Sequence, residues 1–140
     1  MITVHNLQQI LKIENNIIHE QVNGLTQADS LLQPQPGGNC LNWVLGHLLT
    51  SQLEVIRALG GSPPFPPALV ARYDRDSLPI HGEEEGVLPL STLLSMHDQV
   101  QGVLDKLLDT MKEEDFEREI LVGERNQNLG WRVFFLHFHY

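Results

Sequence analysis

The chain closes on "WRVFFLHFHY", which sets two imidazoles, His137 and His139, among aromatic residues. A neutral imidazole binds divalent ions and moves protons near neutral pH, so histidines inside apolar helices are the first residues to weigh. Two residues apart on a helix means ~200° around its axis, so these two point to nearly opposite sides and cannot share one ion. A chelating helix uses i, i+4 spacing, which stacks two imidazoles on one face. For His137 that rule places the partner at position 141, one beyond Tyr140. The helix therefore reads as cut short, with no C-cap glycine or asparagine and no basic last turn.

Five more histidines differ in kind. His5, His19 and His81 lie in polar surroundings and need no special role. His97 follows Leu93 by one turn and precedes Val100 on an apolar stripe, where a satisfied core histidine is the better reading. His47 falls at the edge of an apolar helical face beside Val44, with Trp43 and Ser51 one turn away on either side. An imidazole at such a rim can reach into the end of a helical core, and burying it costs free energy unless a partner is provided. No catalytic base stands out. Glu54 lies on the same side as His47 but two turns along, ~10 Å away, and reads as an exposed carboxylate.

Helical periodicity defines the elements that must carry these residues. Leu7, Ile10, Leu11, Ile17, Ile18 and Leu25 recur at three- and four-residue spacing, and Gly24 marks the end of that helix. Asn39 is expected to cap a second helix over 41–59, whose broad face carries Leu41, Val44, Leu45, Leu48, Leu49, Leu53, Ile56 and Leu59. Gly60 and Gly61 stop it. The proline-rich stretch that follows allows one short turn around "ALVARY", and its length marks it as functional or as a crossover. Ser91 is expected to cap a third helix with Leu93, Met96, Val100, Val103, Leu104, Leu107 and Met111 inside. The acidic "KEEDFERE" reads as solvated surface. Asn128 caps a fourth helix, apolar nearly all round and therefore expected to be the most buried. No alternating strand pattern and no repeat is evident. The prediction is all-α: a single domain over 1–140, an up-down four-helix bundle with a long loop between helices 2 and 3, apparently cut within its fourth helix.

Bulk properties narrow the function. The formal charge is −9, from 18 acids against 9 scattered bases, which argues against nucleic acid because phosphate binding needs clustered Lys and Arg. A single cysteine, Cys40, cannot form an internal disulfide and fits a reducing cytoplasm. No segment approaches the ~20 apolar residues of a membrane span, and the amino terminus is not a signal peptide.

The passage "GLTQADSLLQPQPGGNCLNWVLGHLL", the long loop after it and the terminal "LHFHY" together resemble the DinB-like four-helix bundles over most of the chain. The resemblance implies that one histidine on the second helix and two on the fourth bind a divalent ion, zinc or nickel. It carries His47 over as the first ligand and His137 as the second, with the third at position 141, beyond the sequence. Three imidazoles on such an ion leave a coordination position open, the catalytic rather than the structural arrangement. The implied activity is metal-dependent hydrolysis, or transfer of a low-molecular-weight thiol as co-substrate, on a small molecule. A homodimer is also implied. The alternative is a catalytically degenerate metal-binding bundle that serves as a stress-linked interaction module.

Overall fold

The structure, a computed structural model, describes residues 3–138, with side chains through 136. Its elements in chain order are α1 (Val4–Val22), α2 (Gln27–Ser30), α3 (Leu41–Ala58), a 3-10 helix (Pro67–Tyr73), α4 (Leu90–Thr110), α5 (Glu113–Glu117), strands β1 (Glu119–Val122) and β2 (Arg125–Asn128), and α6 (Leu129–Phe138). The chain is mainly helical. None of the described helices is long and apolar enough to cross a membrane.

Local chemistry sets the helix ends. Thr3 Oγ1 accepts from the Asn6 N–H at 3.0 Å, and both carboxylate oxygens of Glu113 lie 3.1 Å from the Val4 N–H. A carboxylate from α5 thus meets the positive end of the α1 dipole. Gly24, at φ +80°, takes the left-handed conformation that ends α1 where the sequence places it. The two caps expected in the middle of the chain are displaced. Cys40, not Asn39, precedes α3 and gives it no side-chain cap; Pro89 precedes α4, one residue inside which Ser91 already sits. The first-turn Leu90 N–H finds Gln27 Oε1 at 2.7 Å instead, a partner from α2 that local sequence does not reveal. Asn128 behaves as read: its Oδ1 accepts from the Trp131 N–H at 2.6 Å.

Side-chain pairings fix the helix directions. Along α1 and α4, Gln8 meets Asp109, Lys12 meets Asp105, and His19 meets Asp98, so these helices are antiparallel. Along α3 and α4, Asn42 meets Leu88, His97 meets the Leu45 carbonyl, and Gly61 abuts Leu107, so these two run in the same direction. A strict up-down order does not fit those pairings. The segment between α3 and α4 is a crossover that returns the chain to the end where α3 began. Leu7 and Leu11 of α1, Leu49, Leu53 and Ile56 of α3, Leu93, Val100 and Leu104 of α4, and Leu129 and Val133 of α6 are all buried in one core. Burial of each such side chain is worth about 1.5–3 kcal/mol, which is what holds helices of marginal intrinsic stability in place.

Four readings are corrected here. The stretch "KEEDFERE" is not wholly solvated: α5 forms within it, and Phe116 is buried against α6. Strands do exist, as an antiparallel hairpin pairing Ile120 with Gln127 and Val122 with Arg125. Finally, α6 is not buried on all sides, because Trp131 is 55% exposed while Leu129, Val133 and Leu136 face the core. Val44, assigned to the apolar face of α3, is likewise exposed.

Candidate functional site

The strongest constellation of polar groups surrounds Tyr73, the last residue of the 3-10 helix. Its ring packs so closely on α3 that a Cβ at Gly46 would overlap it, so glycine there lets the crossover touch the helix backbone. The phenol is fully buried. It donates to Asn42 Oδ1 at 2.9 Å and accepts from the Leu88 N–H at 2.7 Å, while Asn42 Nδ2 donates to the Leu88 carbonyl at 2.9 Å. Burial pushes the phenol pKa above its ordinary value, so it remains a neutral donor in this closed network.

The main-chain oxygen of Tyr73 reaches the other way, to His47 Nδ1 at 2.8 Å. A carbonyl can only accept, so Nδ1 carries the proton, and in the neutral imidazole the lone pair belongs to Nε2. This is the arrangement that orients metal-ligating histidines through a backbone carbonyl. A second contact fixes the ring plane: His47 stacks on Trp43 with centroids 4.6 Å apart and planes 14° from parallel. The Trp43 indole is itself held by a 2.8 Å bond to Ser77 Oγ. The half-buried His47 lies in the wall of a cavity of about 300 Å³ with Thr50, Ser51 and Glu54 of α3, Asp74 and Arg75 of the crossover, and Leu136 of α6.

Leu136 brings the last helix to the cavity, and position 137 is the next residue along it. The side chain of His137 and the whole of His139 lie outside the described residues. Among the described residues, no three histidine, cysteine, aspartate or glutamate side chains gather as a metal centre would require. His47 alone among the described residues of the cavity wall is oriented as a metal ligand would be, with Nε2 left as the acceptor; Glu54 and Asp74 line the same cavity without gathering round it as a metal-holding group.

Sequence reasoning singled out His47 but not Asp74, Arg75 and Tyr73, which the structure brings beside it. The signal was present in "ALVARYDRD", where an apolar turn ends in a tyrosine and then charges, but periodicity cannot say that this turn folds back onto α3. Glu54 is exposed and paired with Arg57 one turn on, as an outer-face carboxylate should be, yet it also lines the cavity. His97 is the core histidine expected. It is 1% exposed, with Nε2 3.1 Å from the Leu45 carbonyl and Nδ1 buried without a partner among the described residues.

Residues 11–140 match the model of the DinB superfamily, and the chain belongs to that superfamily. Comparison with curated proteins finds no match to the chain.

Proposed function

We propose that the chain is a divalent-metal-binding DinB protein in which α1, α3, α4 and α6 form the family's four-helix bundle. His47 on α3 and His137 on α6 are the residues that would hold a zinc or nickel ion. The observation that carries this reading is the 2.8 Å bond from His47 Nδ1 to the Tyr73 carbonyl, in a cavity whose wall includes Leu136. Such an ion supplies Lewis acidity, which activates water for hydrolysis or favours the thiolate of a low-molecular-weight thiol.

The chain's own residues do the rest. His47 is held rigid by the Tyr73 carbonyl and the Trp43 ring, so little reorganisation is left for the moment of reaction. Asp74 and Glu54 put carboxylates in the same wall, where they would take up a proton released by a substrate, and Arg75 would supply a cation for an anionic substrate group. A cavity of about 300 Å³ suits a small molecule rather than a polymer. The activity is metal-dependent hydrolysis or thiol transfer.

Metal content of the full chain after zinc or nickel loading tests the reading. His47→Ala and His137→Ala should each lower it sharply with the helical circular dichroism unchanged, and His139→Ala should not. Retention of the ion by His47→Ala would overturn the assignment. Metal binding without turnover on any thiol or ester substrate would leave the degenerate binding module as the function.

A further inference from the structure

Two restraints hold the His47 imidazole, and they act on different freedoms. The bond from Nδ1 to the Tyr73 carbonyl at 2.8 Å pins one ring atom. A ring pinned at one atom can still tilt, because the torsion that turns an imidazole or an indole on its Cβ has broad minima rather than sharp staggered wells. The ring plane is set by the Trp43 face, with centroids 4.6 Å apart and planes 14° from parallel. An imidazole lone pair lies in the plane of its ring, so this second contact decides where Nε2 aims.

Trp43 has the same torsional freedom and needs an anchor of its own. Its place one turn before His47 puts the two side chains on one face of α3, but helix geometry does not set the angle of the indole. The Nε1–H does, by donating to Ser77 Oγ at 2.8 Å. Ser77 is fixed in turn. Its N–H donates to the Asp74 carbonyl at 3.1 Å, closing a four-residue turn. Asp76, the third residue of that turn, stands at φ +66°, the left-handed conformation that such turns require there and that aspartate tolerates. Among the described residues it is the one non-glycine with positive φ. Since Asp74 follows Tyr73 directly, both restraints leave from one short stretch of the crossover, 73–77, and return to one turn of α3, 43–47.

We infer that Ser77 is a positioning residue for the His47 site: by anchoring the Trp43 indole, its hydroxyl sets the plane of the imidazole in the cavity wall. The inference rests on the reading of His47 as a metal ligand, and it gives a role to a residue that does not itself line the cavity.

Proton spectra of the metal-free 140-residue chain test it without reference to the ion. The stacked indole should displace the His47 ring protons upfield of those of the exposed His5 and His81. Ser77→Ala should keep the helical circular dichroism, abolish most of that displacement, and leave the Nδ1–H tautomer in place, since the Tyr73 carbonyl is untouched. Ser77→Thr retains the hydroxyl and should restore the displacement. After zinc or nickel loading, the dissociation constant of Ser77→Ala should rise about tenfold, the low end of what removing a ligand-orienting group costs, while that of Ser77→Thr should match the parent. The inference is overturned by His47 ring protons that stay in place in Ser77→Ala, by protons that move equally in Ser77→Thr, or by an unchanged metal affinity in Ser77→Ala. A parent chain that binds neither metal would instead defeat the metal reading, and the ring-proton comparison alone would then decide whether Ser77 aims the imidazole.

Discussion

His47 Nδ1 donates to the Tyr73 main-chain oxygen at 2.8 Å, while the Tyr73 ring rests on Gly46, the residue next to that histidine. One residue of the crossover therefore orients the imidazole and buttresses the helix turn bearing it. Because the bond comes from the backbone, it depends on where the 3-10 helix sits and not on which side chain position 73 carries. That distinction separates the first two predictions.

Gly46→Ala should destabilise the chain by about 1–3 kcal/mol, as overpacking does in a tight interior. Alanine gains up to about 1 kcal/mol of helix propensity over glycine, but the atoms it meets belong to a fully buried ring that has nowhere to go. Metal content should fall with stability, since the displaced turn carries the orienting carbonyl. Urea unfolding and metal analysis together check this, and a variant as stable as the parent would disprove the close approach.

Tyr73→Phe should cost about 1–3 kcal/mol, because Asn42 Oδ1 and the Leu88 N–H lose their buried partner. Metal content in the folded protein should be unchanged, because the carbonyl at position 73 remains. Loss of metal without loss of stability would reverse the assigned roles of phenol and carbonyl.

Stability should fall on mild acidification because of His97. Burial drives its pKa from the ordinary 6.5 down to about 4, with the Leu45 carbonyl pulling the other way. Above pH 6.5 the imidazole is neutral folded or unfolded, and its contribution is fully present. Between pH 6.5 and 4 the unfolded chain takes up a proton that the folded chain refuses, so stability declines by up to roughly 3 kcal/mol across the window. Urea midpoints at several pH values should show that slope, and His97→Leu should flatten it. A slope identical in both proteins would assign the effect to other groups.

Glu113→Gln removes the charge that α5 places on the first N–H of α1. The exposed position makes the effect small, about 0.5 kcal/mol, and added salt should shrink the difference further. Thermal midpoints at low and high ionic strength measure it. A penalty insensitive to salt would point to the hydrogen bonds rather than the charge.

The long helices were legible because their apolar residues repeat at helical spacing over many turns: Leu45, Leu49 and Ile56 in α3, or Leu93, Val100 and Leu104 in α4, need no tertiary knowledge. The ligand candidate on α3 was legible for the same reason, as a polar ring at the rim of a stripe. The hairpin was not, because Arg125, Asn126 and Gln127 are poor strand formers and each strand has only four residues. Its signal is the "ILVGE" run, in which Gly123 at φ +61° opens a two-residue turn between Val122 and Arg125. Phe116 escaped notice as one aromatic in an acidic run. The caps of α1 and α4 by Glu113 and Gln27 escaped because they arrive from distant segments. Helix direction was the hardest to read: the expected up-down order does not fit α3 and α4 running the same way, since periodicity says which face is buried and nothing about which way the next helix runs.

That α3 and α4 run the same way has a consequence for how the chain comes apart. The crossover is the only covalent strap that sets the Tyr73 carbonyl against His47, and Arg75, two residues beyond Tyr73, is exposed. A trypsin-like nick after Arg75 would leave the antiparallel α1–α4 pair intact, because that pairing is made by side chains outside the strap. Arg75 would then be a new carboxy terminus two residues from Tyr73, whose covalent link to α4 is cut while its ring still packs on Gly46. Limited digestion would thus yield a particle that keeps much of its helix and in which the carbonyl that aims His47 is held by the packing of Tyr73 on α3 alone, so that competence at the His47 cavity after the nick measures how much that packing is worth.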